Sequence, residues 1–215
     1  MVDQSLFRVL PDELVLKIIA MASSNHDFIV DIIAEVSERF KLISSDRSLW
    51  RGNVRFCGHG DQDMRVELVT EKFLNDGITK LNIFGQGDRL PVISRKSIMN
   101  IAAKCPNLVR LSLPNVISWP TLNPPLRFLR TLTIESADNF CFMDVDLNWS
   151  VPCLRKFELG RCTQQVTVPD LKGCKKLNFV RLMGEGFKFR LNPTMGGGSW
   201  RWYMTRGAII GRILR

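Results

Sequence analysis

The chain has 215 residues, 45% of them hydrophobic and 24% charged, a profile that suits one ordinary folded domain or two small ones and excludes disorder throughout. A net charge of +9 raises the question of nucleic acid. Six of those cations, Lys188, Arg190, Arg201, Arg206, Arg212 and Arg215, stand in residues 187–215 without a single acid, which leaves only +3 on residues 1–186.

The start of the chain has no basic stretch followed by an apolar one, and no run reaches the roughly 18 apolar residues of a membrane span. A cytoplasmic or nuclear protein without a membrane partner is expected. The first helix is predicted from Pro11 to about Ala22. Proline at the first helical position loses no needed N–H, and Asp12 and Glu13 suit the positive end of the helix dipole. Leu14, Val15, Leu16, Ile18, Ile19, Met21 and Ala22 spread over roughly 220° of the wheel, about twice the arc one buried face requires. After the polar break "SSNHD" come the apolar run Phe28 to Val36, the helical stretch "SERFKLIS" and the turn "SDRSLW". Residues 7–56 therefore read as a small all-α module, and 57–77 as a connecting helical segment.

From Ile78 the pattern changes to short strands of the form L-x-x-L-x-L: "ITKLNI" at 78, "LVRLSL" at 108, "LRTLTI" at 129, "LRKFEL" at 154 and "LNFVRL" at 177. Their starts lie 30, 21, 25 and 23 residues apart, close to the 20–29 residues of a leucine-rich repeat. Between the first two copies, Ile98, Ile101, Ala102 and Cys105 fall at helical spacing. The expected fold is α+β overall: the all-α module followed by a short α/β solenoid of about five repeats with a parallel sheet over 78–186. Residues 187–215, with "GGG", Trp200, Trp202 and Tyr203, do not continue the repeat and are expected to be a poorly ordered tail, or else a cover for the last repeat's apolar edge.

Little in the chain suggests catalysis. His26 and His59 lie in polar breaks and are expected to be solvated. The pairs Gly85-x-Gly87 and Gly184-x-Gly186 lack the third glycine of a dinucleotide fingerprint, and "GGG" lacks the lysine of a phosphate loop. The six cysteines, Cys57, Cys105, Cys141, Cys153, Cys162 and Cys174, form no C-x-x-C and are expected to be reduced core thiols. No enzyme activity, cofactor or metal is expected.

The segments "LPDELVLKII" and "VSERFKLISSDRSLW" resemble the F-box motif: leucine-proline opening a helix, an aromatic flanked by basic residues, and a closing leucine-tryptophan. With the repeats, residues 7–186 look like an F-box protein with leucine-rich repeats. The loop "SSNHDF" is longer than usual, Phe40 stands where tryptophan is common, and Glu38 where lysine is common. The resemblance implies a substrate receptor of an SCF-type ubiquitin ligase, its partners a Skp-family adaptor, through it a cullin scaffold, and a protein substrate marked for degradation. The adaptor contacts it implies are Leu10, Pro11, Leu14, Ile18, Phe40 and Trp50, with Val15 and Ile19 facing the module's own core.

Side chains alternate along a strand, so the residues flanking each central leucine point to the open side of the sheet, the concave face of a repeat protein. Phe84, Arg110, Glu135, Lys156, Glu158, Phe179, Arg181 and Met183 are the substrate-binding candidates there. Their mixture of apolar and charged types suits a protein ligand better than a phosphate backbone. Two alternatives stand beside the ligase receptor: a repeat scaffold without a ligase role, and a nucleic-acid binder using Trp200, Trp202, Tyr203 and the tail arginines. The latter is not expected.

Overall fold

The computed structural model describes residues 9–22, 26–58, 64–85, 90–116, 118–136, 147–161, 171, 174–183, 200–205 and 208–213. The fold is mixed α+β, with a mostly parallel sheet. Helix α1 (Asp12–Ala22) begins where the Pro11 carbonyl accepts from the N–H groups of Leu14 and Val15. A π-helical turn (Ile29–Ile33) runs into α2 (Ala34–Val36). Helix α3 (Glu38–Ser44) is capped by Ser37, whose hydroxyl accepts from the Phe40 N–H. Helix α4 spans Met64–Lys72 and α5 spans Arg95–Lys104, the latter capped by Ser94, while α6 is a single turn, Leu147–Ser150.

Among the described residues nine strands form one sheet: β1 (Gly52–Gly58), β2 (Ile78–Gly85), β3 (Val92–Ile93), β4 (Arg110–Val116), β5 (Thr131–Ser136), β6 (Lys156–Arg161), β7 (Phe179–Met183), β8 (Trp200–Thr205) and β9 (Ala208–Ile213). Their order is β1-β2-β4-β5-β6-β7-β9-β8, with β3 beside β4. The first six are parallel, and β9 and β8 close the series as an antiparallel hairpin. The five L-x-x-L-x-L copies supply β2, β4, β5, β6 and β7, and one turn precedes each. The N–H of Ile78, Leu108, Leu129, Leu154 or Leu177 donates to the carbonyl three residues earlier, on Asn75, Cys105, Leu126, Val151 or Cys174. Cys105 and Cys174 thus occupy the same turn position in two units, both buried.

Two expectations are corrected. Residues 52–58, split between the helical module and the connecting segment, form a strand that leads the parallel series, with Val54 opposite Leu81 and Phe56 opposite Ile83. It offers the last two apolar positions of the repeat but has Arg51 where the first leucine would stand, and a register shift at Gly52–Asn53 sets it in place. Gly52 turns the chain there with φ of 66°, in the left-handed region that only glycine adopts freely. The tail is likewise not structureless throughout, since 208–213 pairs along β7 and covers its open edge, and 200–205 pairs in turn with 208–213.

Strand burial alternates as a half-buried sheet requires: in β5, Leu132 and Ile134 are buried and Glu135 is exposed. One apolar cluster runs without interruption from Val15 of α1 to Leu182 of β7. The helical module and the sheet therefore share a core. Gly160 is set by the approach of β5, because a Cβ there would lie 2.0 Å from the Glu135 carbonyl oxygen. No helix among the described residues is long and apolar enough to cross a membrane.

Candidate functional site: an apolar helical face and an open sheet face

Two surfaces have the chemistry of binding sites. The first lies on the helical module. Along α1, Val15 and Ile19 are buried at 0% and 3% exposure, while Leu14 and Ile18 are each 44% exposed. This one-residue offset turns half of the apolar arc inward and half outward. Pro11 is exposed and Leu10 is partly buried against the core. Eight of the twelve exposed large apolar side chains among the described residues belong to positions 9–42: Val9, Leu14, Ile18, Met21, Phe28, Ile32, Val36 and Leu42. The other described residues present four, so among the described residues the exposed apolar side chains gather on this module.

Phe40 and Trp50, expected to contact an adaptor, lie inside the module, at 9% and 0% exposure. This corrects the expectation of direct contact. The Trp50 indole N–H donates to the Ser44 carbonyl at 2.8 Å, and its ring stacks on Phe73 and tilts against His26. Those contacts pack the side chain between the module and the segment that follows α4. Outside the core, Arg39 fixes α3 against the start of α1, reaching the Asp12 carboxylate at 2.5 Å and the Leu10 carbonyl.

His26 is also corrected, from solvated to buried at 7% exposure. Its Nδ1 accepts from the Arg55 N–H and its Nε2 lies 3.1 Å from the Leu49 carbonyl, an arrangement that calls for the proton on Nε2. Burial holds its pKa below the ordinary value, against the opposing pull of those backbone partners. Asp27 accepts from the Cys57 N–H and pairs with Arg65 at 2.6 Å, and Arg65 also reaches Asp31. Together His26 and Asp27 satisfy the outer N–H groups of β1, which would otherwise be a free sheet edge. His59, Cys141 and Cys162 lie outside the described residues, as do the side chains of Trp200, Trp202 and Tyr203.

The second surface is the open face of the sheet. Pairing aligns its side chains in rows. One row reads Asn53, Lys80, Arg110, Thr131, Lys156, Phe179 and Arg212, and the next reads Arg55, Asn82, Ser112, Thr133, Glu158 and Arg181. Phe84, Glu135 and Met183 stand in a third row, on β2, β5 and β7. All eight candidates thus lie on one face, each at least partly exposed. The rows are chemically uneven. Arg55 lies over the Phe84 ring at 5.6 Å, and Lys156 and Arg212 lie over Phe179 at 5.2 and 5.6 Å, so both aromatics are already covered by cations. Glu158 pairs with Lys156 at 3.0 Å.

Among the described residues no group of three or more His, Cys, Asp or Glu could hold a metal ion. Sequence reasoning places Lys80 on this face, as a residue flanking the central leucine of the first strand, but missed Arg55, which lies on a strand that periodicity did not reveal. No protein-family model matches the chain, and no curated protein is similar to it in sequence.

Proposed function

We propose that the chain is the substrate-recognition subunit of an SCF-type ubiquitin ligase, a non-catalytic receptor whose F-box-like helical module binds a Skp-family adaptor and whose leucine-rich-repeat sheet binds the protein to be ubiquitinated. The observation that carries this proposal is the split of α1, with Val15 and Ile19 inward and Leu14 and Ile18 outward on the module that holds most of the large exposed apolar side chains among the described residues. A surface of this kind suits helix-in-groove association through apolar anchors at i and i+4. The repeats then present a separate, open sheet face to a second protein.

Co-expression with a Skp-family adaptor and capture on the chain tests this function. Wild-type chain should retain the adaptor and cullin, and Leu14→Asp with Ile18→Asp should lose both without losing the thermal transition, because both side chains are already partly in water. No retention by the folded wild-type chain would overturn the ligase assignment in favour of a repeat scaffold.

A further inference from the structure

The open sheet face contains a groove of about 470 Å³ across β1, β2, β4 and β5. Its polar lining is Arg55, Lys80, Arg110, Ser112, Thr131 and Thr133, with the amides of Asn53 and Asn82 between them. Three cations converge there and no carboxylate lines the groove. Lys80 and Arg110 sit directly opposite each other on neighbouring strands, about 4.8 Å apart in the sheet, and no ion pair among the described residues involves either of them or Arg55. Adjacent like charges repel, and an anion bound between them would relieve that repulsion.

We infer that this groove binds an acidic segment of a partner protein, a phosphorylated side chain or a cluster of Asp and Glu, with Arg55, Lys80 and Arg110 meeting the negative group and the Ser112 and Thr131 hydroxyls donating to its oxygens, while Thr133, at the far side, donates to Glu158. Paired arginine and lysine donors around one anion are the usual basis of phosphate and carboxylate recognition. The rest of the face favours a peptide over a nucleic-acid strand. Single-stranded nucleic acid needs open aromatic platforms for its bases, and Phe84 and Phe179 are each covered by cations. A strand continuing along the rows would also meet Glu158 and Glu135. The basic groove is local, as a single acidic group requires.

The inference rests on the sheet face as the substrate surface, but its test is independent of the adaptor. Full-length chain is immobilised and exposed to three degenerate twelve-residue peptide pools, with phosphoserine, an Asp/Glu cluster or serine fixed at the centre, and to a mixed-sequence single-stranded oligonucleotide. The phosphoserine pool, the Asp/Glu pool or both should be retained roughly ten-fold or more over the serine pool. Which pools are retained tells a phosphate ligand from a carboxylate one. Lys80→Glu with Arg110→Glu should abolish the preference, Lys80→Ala with Arg110→Ser should weaken it, and Arg127→Glu with Lys175→Glu, outside the groove, should leave it intact. Equal retention of all pools, a preference unchanged in the folded groove variants, or stronger retention of the oligonucleotide would overturn the inference. Adaptor capture measured on the same preparations separates the two proposals: its failure alongside intact acidic-peptide binding removes the ligase role and leaves the groove.

Discussion

The Trp50 indole stacks on Phe73 with ring centroids 4.6 Å apart and planes at 21°. Trp50 ends the helical module and Phe73 follows α4, so this contact, with the Asn75 amide donating to the Trp50 carbonyl at 2.9 Å, joins the two halves around the fully buried Trp50. A module of about fifty residues buries too little surface to be robust alone. Trp50→Ala should destabilise the chain by about 3–5 kcal/mol. Amide exchange protection should fall together in α1 and in β5; loss confined to residues 9–50 would show that the module unfolds on its own.

His26 makes the same junction sensitive to acid. Its folded-state pKa lies below the ordinary 6.5 because burial disfavours the cation. Below pH 6.5 the unfolded chain therefore binds a proton that the folded chain resists, and stability falls as pH drops through 6.5 toward the folded value. A second proton on Nδ1 would also face the Arg55 N–H and break that bond. Thermal midpoints measured from pH 7.5 to 5 should fall in wild type. His26→Gln should start lower, by about 1–3 kcal/mol for the lost buried acceptor, and show a flatter profile; an unchanged slope would assign the acid sensitivity elsewhere.

Five of the six strands in the series β1-β2-β4-β5-β6-β7 were legible because each repeats the same apolar spacing. The first, β1, was not, because Arg51 replaces the leading leucine and Gly52 alters the register, leaving only Val54 and Phe56 to carry the period. The inward and outward halves of α1 were also legible, since a wide apolar arc needs two partners. Phe40 and Trp50 were placed on the surface by likeness of position, whereas both are buried, and Trp50 packs on Phe73 and His26 in contacts that no local pattern contains. The same limit hid the basic groove: Arg55, Lys80 and Arg110 are separated by 25 and 30 residues in sequence, and only strand register brings them together.

Gly160 provides a test of that register. It lies where β6 approaches β5 so closely that a Cβ would be 2.0 Å from the Glu135 carbonyl oxygen and 2.6 Å from its carbon. Backbone cannot swing aside as a long side chain can, so the strands would have to separate. Gly160→Ala should destabilise the chain by about 1–3 kcal/mol, with exchange protection lost first in β5 and β6. Unaltered protection there would mean that the two strands have room the structure does not show.

The thiols should differ sharply in reactivity although no described cysteine is in a disulfide. Cys105 is fully buried, and burial pushes its pKa up to about 12, so almost none of it is thiolate near neutral pH, and it is the thiolate that reacts. Burial raises the Cys57 pKa as well, and Cys174 is only 1% exposed. Cys153 is partly exposed, with its Sγ 3.3 Å from the Lys176 Nζ. Brief maleimide treatment of native chain, followed by peptide mapping, should therefore label Cys153 before Cys57, Cys105 or Cys174. All four should react once the chain is denatured. Early labelling of Cys105 in native chain would show that the turn before β4 opens readily, contrary to a core that runs unbroken from Val15 to Leu182.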